Sequence, residues 1–292
     1  TLFRSWKMKT TLLASTALVL SVGAAAAADF TMADTGHDHS ITLSGDARMG
    51  VTNDTGSAYD MEFSSRARVQ FSGAGETDGG LGFGFNFRAG NASSADDGTA
   101  GSVFISQGGH TLAMGDVDSA ANAAVGQVSG VGFTGLHDHN EVGYDLNDEA
   151  PSVLYSYTGG ALAFHVGLGG DMVSGDEFSL GVAYDAGTFN VALGVEDDDG
   201  NSGVYLGVGV DLGAVAMNAV LADSDGDGDE WAVSADFTSG ATTFTAYVAD
   251  DNGDGSWGLG ASHDLGGGAS LAGGVVDSDN EDEVIYDLGI TM

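Results

Sequence analysis

The chain has 292 residues, no cysteine and one proline, and its 43 acidic residues against 7 Lys plus Arg give a formal net charge of −36. Without cysteine a disulfide framework is excluded, and a charge of this sign would repel the phosphate backbone of nucleic acid. The 49 glycines fit β-structure with tight turns better than helices.

The first 28 residues have the anatomy of a secretory signal. Met8 and Lys9 give a small positive start, the apolar stretch TTLLASTALVLSVG follows, and an alanine run ends at Ala28. Such a leader is too short for a retained membrane helix and is removed on export. We expect residues 1–28 to be cleaved and residues 29–292 to form one domain. This domain keeps four arginines and no lysine against 43 acids, hence a charge of −39.

Three segments near the start of this domain alternate between a mainly apolar face and a polar or small face. They cover 41–51, 61–71 and 81–90. Alternation of period two over roughly ten residues indicates β-strands long enough to cross a membrane at a tilt. The polar face carries all four arginines and two acids, namely Arg48, Arg66, Arg68, Arg88, Asp46 and Glu62. This arrangement predicts a β-barrel with an apolar outer surface and a charged, water-filled interior.

The alternation continues, more weakly, to the end of the chain. Further strands are predicted near 102–106, 110–115, 152–158, 161–169, 177–185, 188–196, 202–212, 214–222, 229–238, 241–249, 255–265, 269–276 and 283–292. With the first three they make sixteen, and an even number is expected of a single-chain bacterial barrel. The predicted fold class is therefore all-β, a transmembrane antiparallel β-barrel of about 16 strands.

Along the chain, the connections between these strands alternate in length and in charge. Every second link is short and nearly uncharged, except that the one around 72–80 holds Glu76 and Asp78. The others are longer and mostly acidic, as at 197–202, 222–229, 249–255 and 277–282. Short periplasmic turns alternating with longer outer loops are typical of membrane barrels. Many interior positions are small, which we interpret as room for water; they include Gly82, Gly84, Ala183, Gly207 and Gly209.

One link, at about 116–149, is far too long for a hairpin. Loops of this length usually have a function or are disordered. Its acids include Asp116, Asp118, Asp138, Glu141 and Asp145. Folded into the barrel, the loop would narrow the interior and present carboxylates opposite the arginines, creating a transverse field that favours polar solutes. Alternatively, the arginines merely balance neighbouring acids such as Asp46 and Glu62.

Several segments together resemble one known family. LSGDARMGV (43–51), SSRARVQF (64–71), GLGFGFNFRAG (80–90) and GLGASHDLGGGASLAGG (258–274) are similar to the general-diffusion porins of alpha-proteobacteria. The resemblance implies a sixteen-stranded homotrimer in the outer membrane, in contact with lipid and lipopolysaccharide, that lets small hydrophilic solutes diffuse passively. It also implies that the third outer loop forms the constriction, with Arg48, Arg66, Arg68 and Arg88 on the far wall. No cofactor is required, but Ca²⁺ bound by the constriction-loop carboxylates is an expectation from the family. Family members end on an aromatic residue, so we expect further residues after Met292.

Two H-D-H triplets, His37 to His39 and His137 to His139, could hold a transition metal. Solvated loop residues are the favoured interpretation, and metal ligands are left unassigned. The seven histidines are scattered and none has an adjacent nucleophile pattern, so an enzyme is not expected.

The sequence thus predicts a porin with a mild preference for cations, since acidic mouths concentrate counter-ions. The alternative is an acidic, non-conducting outer-membrane barrel with an adhesin or structural role.

Overall fold

The protein is a closed barrel of sixteen antiparallel strands. The computed structural model describes residues 39–53, 61–90, 101–146, 152–169 and 177–292. The expected signal segment and the start of the first H-D-H triplet lie outside these ranges, as do residues 147–149 of the long predicted loop.

The strands follow the chain without interruption of their order. They are β1 His39–Thr52, β2 Glu62–Glu76, β3 Gly82–Gly90, β4 Ser102–Gln107, β5 His110–Gly115, β6 Ser152–Gly159, β7 Leu162–Leu168, β8 Phe178–Asp185, β9 Phe189–Asp198, β10 Asn201–Asp211, β11 Val215–Ser224, β12 Gly228–Ser239, β13 Thr242–Asp251, β14 Asp254–Gly266, β15 Ala269–Ser278 and β16 Ile285–Thr291.

Each strand pairs with the next, and β1 pairs with β16 to close the ring. The predicted fold class, a sixteen-stranded antiparallel barrel, is confirmed.

The two faces of the wall differ as the alternation predicts. On β10, Val204, Leu206 and Val208 are exposed, whereas the intervening Tyr205 and Gly207 are buried. Large apolar side chains are exposed in this way around the ring and form an apolar outer surface. Aromatic residues also contribute to this surface, and the exposed ones include Phe63, Phe71, Phe178, Tyr184, Trp231 and Phe237.

Some acidic links are much shorter than predicted. β9 and β10 are joined by Asp199 and Gly200 alone, and β13 and β14 by Asn252 and Gly253 alone. All four residues have positive φ, as a two-residue type I′ hairpin requires. The acids assigned to loops at 197–202, 222–229 and 249–255 therefore lie largely on strands. At these hairpins the two ends of the barrel differ in charge and not in loop length.

Among the residues that the structure describes, helical structure occurs in the link between β5 and β6 alone. It comprises α1, Ala120–Val125, and a 3₁₀ turn at Leu136–Asp138. Within the described ranges, no helix combines the length and the hydrophobicity needed to cross a membrane.

Candidate functional site

Residues 116–146, named here the inner segment, pack against the face of the wall opposite to the apolar outer surface. α1 lies over glycines of consecutive strands, where a side chain would collide with it. A Cβ at Gly194 would be 2.6 Å from the Cβ of Ala121, and one at Gly207 would be 3.1 Å from Val125 Cγ1. The interpretation of Gly207 as room for water is therefore wrong, because its missing side chain makes space for α1.

An apolar cluster inside the barrel joins the inner segment to the wall. Its buried members are Ala121, Val128, Val131, Leu136, Val142 and Tyr144 from the segment and Tyr205, Val220, Ala222, Ala232, Tyr247, Ala249, Val276 and Ile285 from the wall. The rings of Tyr144 and Tyr205 stack with centroids 4.5 Å apart. Burial raises the pKa of Tyr144, so its hydroxyl stays neutral and donates to the carbonyl of Gly126 at 2.7 Å. This cluster fixes the segment by the same burial of apolar surface that stabilises a soluble core.

Four carboxylates of the wall accept hydrogen bonds from the inner segment. They are Glu196 Oε2 from Leu146 N at 3.2 Å, Glu230 Oε2 from Gly143 N at 2.7 Å, Asp236 Oδ2 from Ser129 Oγ at 2.7 Å and Asp287 Oδ2 from Thr134 N at 2.7 Å. An irregular loop has few backbone partners of its own, so charged acceptors satisfy donors that would otherwise be costly to bury. None of these four acids was singled out from the sequence.

Arg48 and Asp287 hold the inner segment from adjacent strands, β1 and β16. Nη1 of Arg48 donates to the carbonyls of Phe133 and Thr134 at 3.1 and 2.9 Å. Oδ2 of Asp287 accepts from the amide and the hydroxyl of Thr134 at 2.7 and 2.6 Å. We name this arrangement the Thr134 clamp. Arg48 therefore meets backbone carbonyls of the loop, not the loop carboxylates expected to face it.

The other predicted wall residues lie together on β1 to β3. Arg68 Nη2 is 2.9 Å and Arg66 Nη2 is 3.6 Å from Oδ1 of Asp46, and Arg68 lies directly opposite Asp46 across the strand pair. Local charge balance, the alternative interpretation, thus accounts for Asp46. Both guanidinium groups remain partly accessible, and the chain places Arg88 and Glu62 on the same inward face of β3 and β2.

The predicted acids of the loop divide into two groups. Four are exposed: Asp116, Asp118, Asp138 and Glu141. Asp145 instead accepts from Ser224 Oγ at 2.9 Å on β11, nearly across the ring from β1 to β3. The structure therefore separates Asp145 from the arginines with which the sequence grouped it.

The barrel wall around the inner segment alters the ionisation of its carboxyl groups. Although Asp118 and Glu141 have access to water, desolvation by the surrounding protein raises their pKa, and Asp116 and Asp138 add like charge. Burial also raises the pKa of Asp145, against the opposing effect of its hydrogen bond from Ser224.

The inner segment contacts the inner face of the wall over more than half of the ring. α1 contacts β7 to β10, the 3₁₀ turn contacts β15 and β16, and the Thr134 clamp reaches β1. The exposed acids of the segment are not all in one place. Asp138 belongs to the 3₁₀ turn at β15 and β16, whereas the amide of Asp116 donates to the carbonyl of Gly101 at 2.9 Å, directly before β4.

One group of side chains could hold a metal ion. Nδ1 of His137 and Nε2 of His139 lie 2.7 and 3.0 Å from Oε1 of Glu281, in the link between β15 and β16. Among the described residues, no other three His, Asp or Glu side chains bring their potential ligand atoms so close together. Binding of Ca²⁺ by the loop carboxylates stays a prediction.

Comparisons with known proteins agree on one family. The family described as Gram-negative porin matches residues 14–283. A porin of Rhodobacter capsulatus is 34% identical over 299 residues, covering 86% of this chain and 98% of its own. A solved porin structure is 33% identical with a TM-score of 0.73, covering 86% of this chain and 99% of its own. A mutant porin of Rh. blastica has the same fold at 22% identity, with a TM-score of 0.73 over 86% of this chain and 99% of its own. The chain belongs to the Gram-negative porin family.

Proposed function

We propose that this protein is an outer-membrane porin that forms a water-filled channel for the passive diffusion of small hydrophilic solutes and ions. The observation that carries the proposal is the position of the inner segment, which packs against the inner face of a closed barrel while Arg66 and Arg68 stay partly accessible. A segment fixed in this way narrows the channel without blocking it. The constriction then lies between its exposed acids and Arg66, Arg68 and Arg88.

The channel prefers cations mildly. Acids such as Asp199, Asp250 and Asp279 crowd one rim, and carboxylates at a channel mouth raise the local cation concentration. Arg66 and Arg68 oppose this effect inside, where Asp46 partly neutralises them. Screening acts over about 8 Å at physiological ionic strength, so the preference weakens at high salt.

Export, location and assembly follow from the same proposal. Residues 1–28 are a cleaved signal, and residues 29–292 form the barrel domain. The apolar outer surface is in contact with outer-membrane lipid and lipopolysaccharide and with two further copies of the chain in a homotrimer. The protein works as a channel and not as an enzyme.

A second candidate function is favoured by the apolar cluster inside the barrel. Tyr144, Tyr205 and Leu136 fill part of the interior as a core does. A barrel closed in this way would be a non-conducting adhesin or structural protein.

Single-channel recording in a planar bilayer decides between the two. We expect ohmic steps in groups of three and a reversal potential of cation sign at low salt. Replacing both Arg66→Ser and Arg68→Ser should raise the conductance or the cation preference, because two positive charges leave the constriction.

The matched control is Arg66→Lys with Arg68→Lys, which keeps both charges and should keep the selectivity of the unmodified protein. A folded barrel that carries no current would favour the non-conducting alternative. A current that is the same in all three proteins would remove Arg66 and Arg68 from the constriction.

A further inference from the structure

His137, His139 and Glu281 combine two imidazoles with one carboxylate. Both imidazole nitrogens are directed at the same oxygen, Glu281 Oε1, at 2.7 and 3.0 Å, and the three potential ligand atoms lie within 4.8 Å of one another. Zn²⁺ bound to nitrogen and oxygen at about 2.0–2.2 Å in a tetrahedron separates its ligands by roughly 3.4 Å. Opening the two contacts by about half an ångström would therefore admit an ion of this size.

An unusual backbone brings the two histidines to one side. Leu136, His137 and Asp138 have φ of 48°, 65° and 54°, all in the left-handed region that residues other than glycine avoid. His139 then returns to the right-handed region with φ of −59°. This turn is held by the burial of Leu136 and by the hydrogen bonds of His137 to Glu281 and of the Asp138 amide to the carbonyl of Gly135. Strained backbone of this kind is often retained at binding sites.

The ligands belong to parts of the protein that are otherwise fixed. Ser256 Oγ on β14 donates to the carbonyl of His139 at 2.9 Å, and Nδ1 of the same histidine lies 3.5 Å from Ser278 Oγ on β15. The amide of Glu281 donates to the carbonyl of Ser278 at 3.0 Å. A second partner on the far nitrogen of a histidine orients the ring, as the outer partners of metal ligands do.

The donor types select the metal. Imidazole nitrogen favours the later first-row divalent ions, whereas Ca²⁺ and Mg²⁺ prefer sites built of oxygen. The side chain of His137 is half exposed, so an ion can enter from water, and water can complete its coordination.

We propose that His137, His139 and Glu281 form a binding site for a zinc-class divalent ion that joins the inner segment to the link between β15 and β16. The ion would replace the shared contact with Glu281 by three metal bonds and place positive charge beside the exposed acid Asp138. Binding requires no conduction through the barrel, so this site and the proposed function can fail separately.

The test is titration calorimetry of the full folded chain with Zn²⁺. We expect one ion per chain, retained in a large excess of Ca²⁺. His139→Ala and Glu281→Gln should each lower the affinity at least about tenfold, since even the loss of an outer partner of a ligand has an effect of this size. His139→Cys should restore binding, because a thiolate is also a zinc ligand. Added Co²⁺ should give the visible absorption of a low-coordinate site in the unmodified protein and lose it in His139→Ala.

Two controls make the test specific. His37→Ala with His39→Ala removes the other H-D-H triplet and should leave binding unchanged, as should His263→Ala on the outer face of β14. Binding that disappears with the first triplet, that Ca²⁺ displaces equally well, or that survives His139→Ala and Glu281→Gln would overturn the proposal.

Discussion

Replacing Asp287 by alanine should loosen the middle of the inner segment while the barrel wall stays folded. The carboxylate is 6% exposed and accepts from the amide and the hydroxyl of Thr134 through Oδ2, while its Oδ1 accepts from Gly274 N at 3.0 Å on the wall. Hydrogen bonds to a charged partner contribute about 1.5–3 kcal/mol each. In the variant, water from the interior can replace the lost acceptor, and the cost of burying the carboxylate disappears. We therefore expect the removal of the two bonds from Thr134 to destabilise the docked segment by about 3 kcal/mol, the lower end of their sum. That corresponds to roughly 100-fold more frequent local opening.

Hydrogen–deuterium exchange measures this opening directly. Peptides covering 132–136 of Asp287→Ala should exchange about 100-fold faster than those of the unmodified protein. Peptides covering α1 should change less than about threefold, since Ser179 Oγ accepts from Ala120 N at 2.8 Å and the glycines beneath α1 are untouched.

The control is Asp229→Ala, which removes the same charge from an exposed position on β12 and should leave exchange at 132–136 unchanged. If Asp287→Ala exchanged like the unmodified protein at 132–136, the Thr134 clamp would not hold the segment. If all strands exchanged faster as well, the substitution would act on the wall and the argument would be wrong.

Two further changes test the position and the charge of the inner segment. Gly194→Val should displace α1, because a Cβ alone would already be 2.6 Å from that of Ala121. We expect proteases to cleave within 116–146 while the barrel remains intact. If the variant resisted cleavage as well as the unmodified protein, the packing of α1 on Gly194 would be contradicted. Burial raises the pKa of Glu141, so this carboxyl group takes up a proton at a higher pH than an ordinary glutamate. The segment then loses one negative charge, and the free energy that burial of the charge costs is relieved. As the pH falls, cation preference should therefore begin to decline at a higher pH than an ordinary glutamate would cause. A pH profile that is the same in Glu141→Gln would refute this assignment.

The wall could be predicted from the sequence because its signal is local. Alternation in 61–71 assigns Arg66 and Arg68 to the inner face without knowledge of any neighbour. The type I′ turns at Asp199-Gly200 and Asn252-Gly253 were also readable, since Asp-Gly and Asn-Gly are strong hairpin signals. They were missed because the surrounding acids suggested longer loops.

The site was less predictable because its contacts join distant parts of the chain. Thr134 and Asp287 are 153 positions apart, and nothing near either residue specifies the other. One signal did exist: an acid such as Asp287 on an inward face of small residues has no basic partner nearby in sequence, and a buried carboxylate needs donors. The same reasoning would have shown that inward glycines can accommodate a backbone as readily as water.

The Thr134 clamp also has a consequence for the order of folding. The pairing of β1 with β16 that closes the ring comprises five residue pairs, against fourteen between β1 and β2. The ring of Phe133 lies over this short seam, close to Gly50 on one strand and Gly289 on the other. A segment from the middle of the chain thus contacts both the first strand and the last, and it can do so only after these two strands have come together. Docking of the inner segment at this seam is therefore coupled to closure of the barrel.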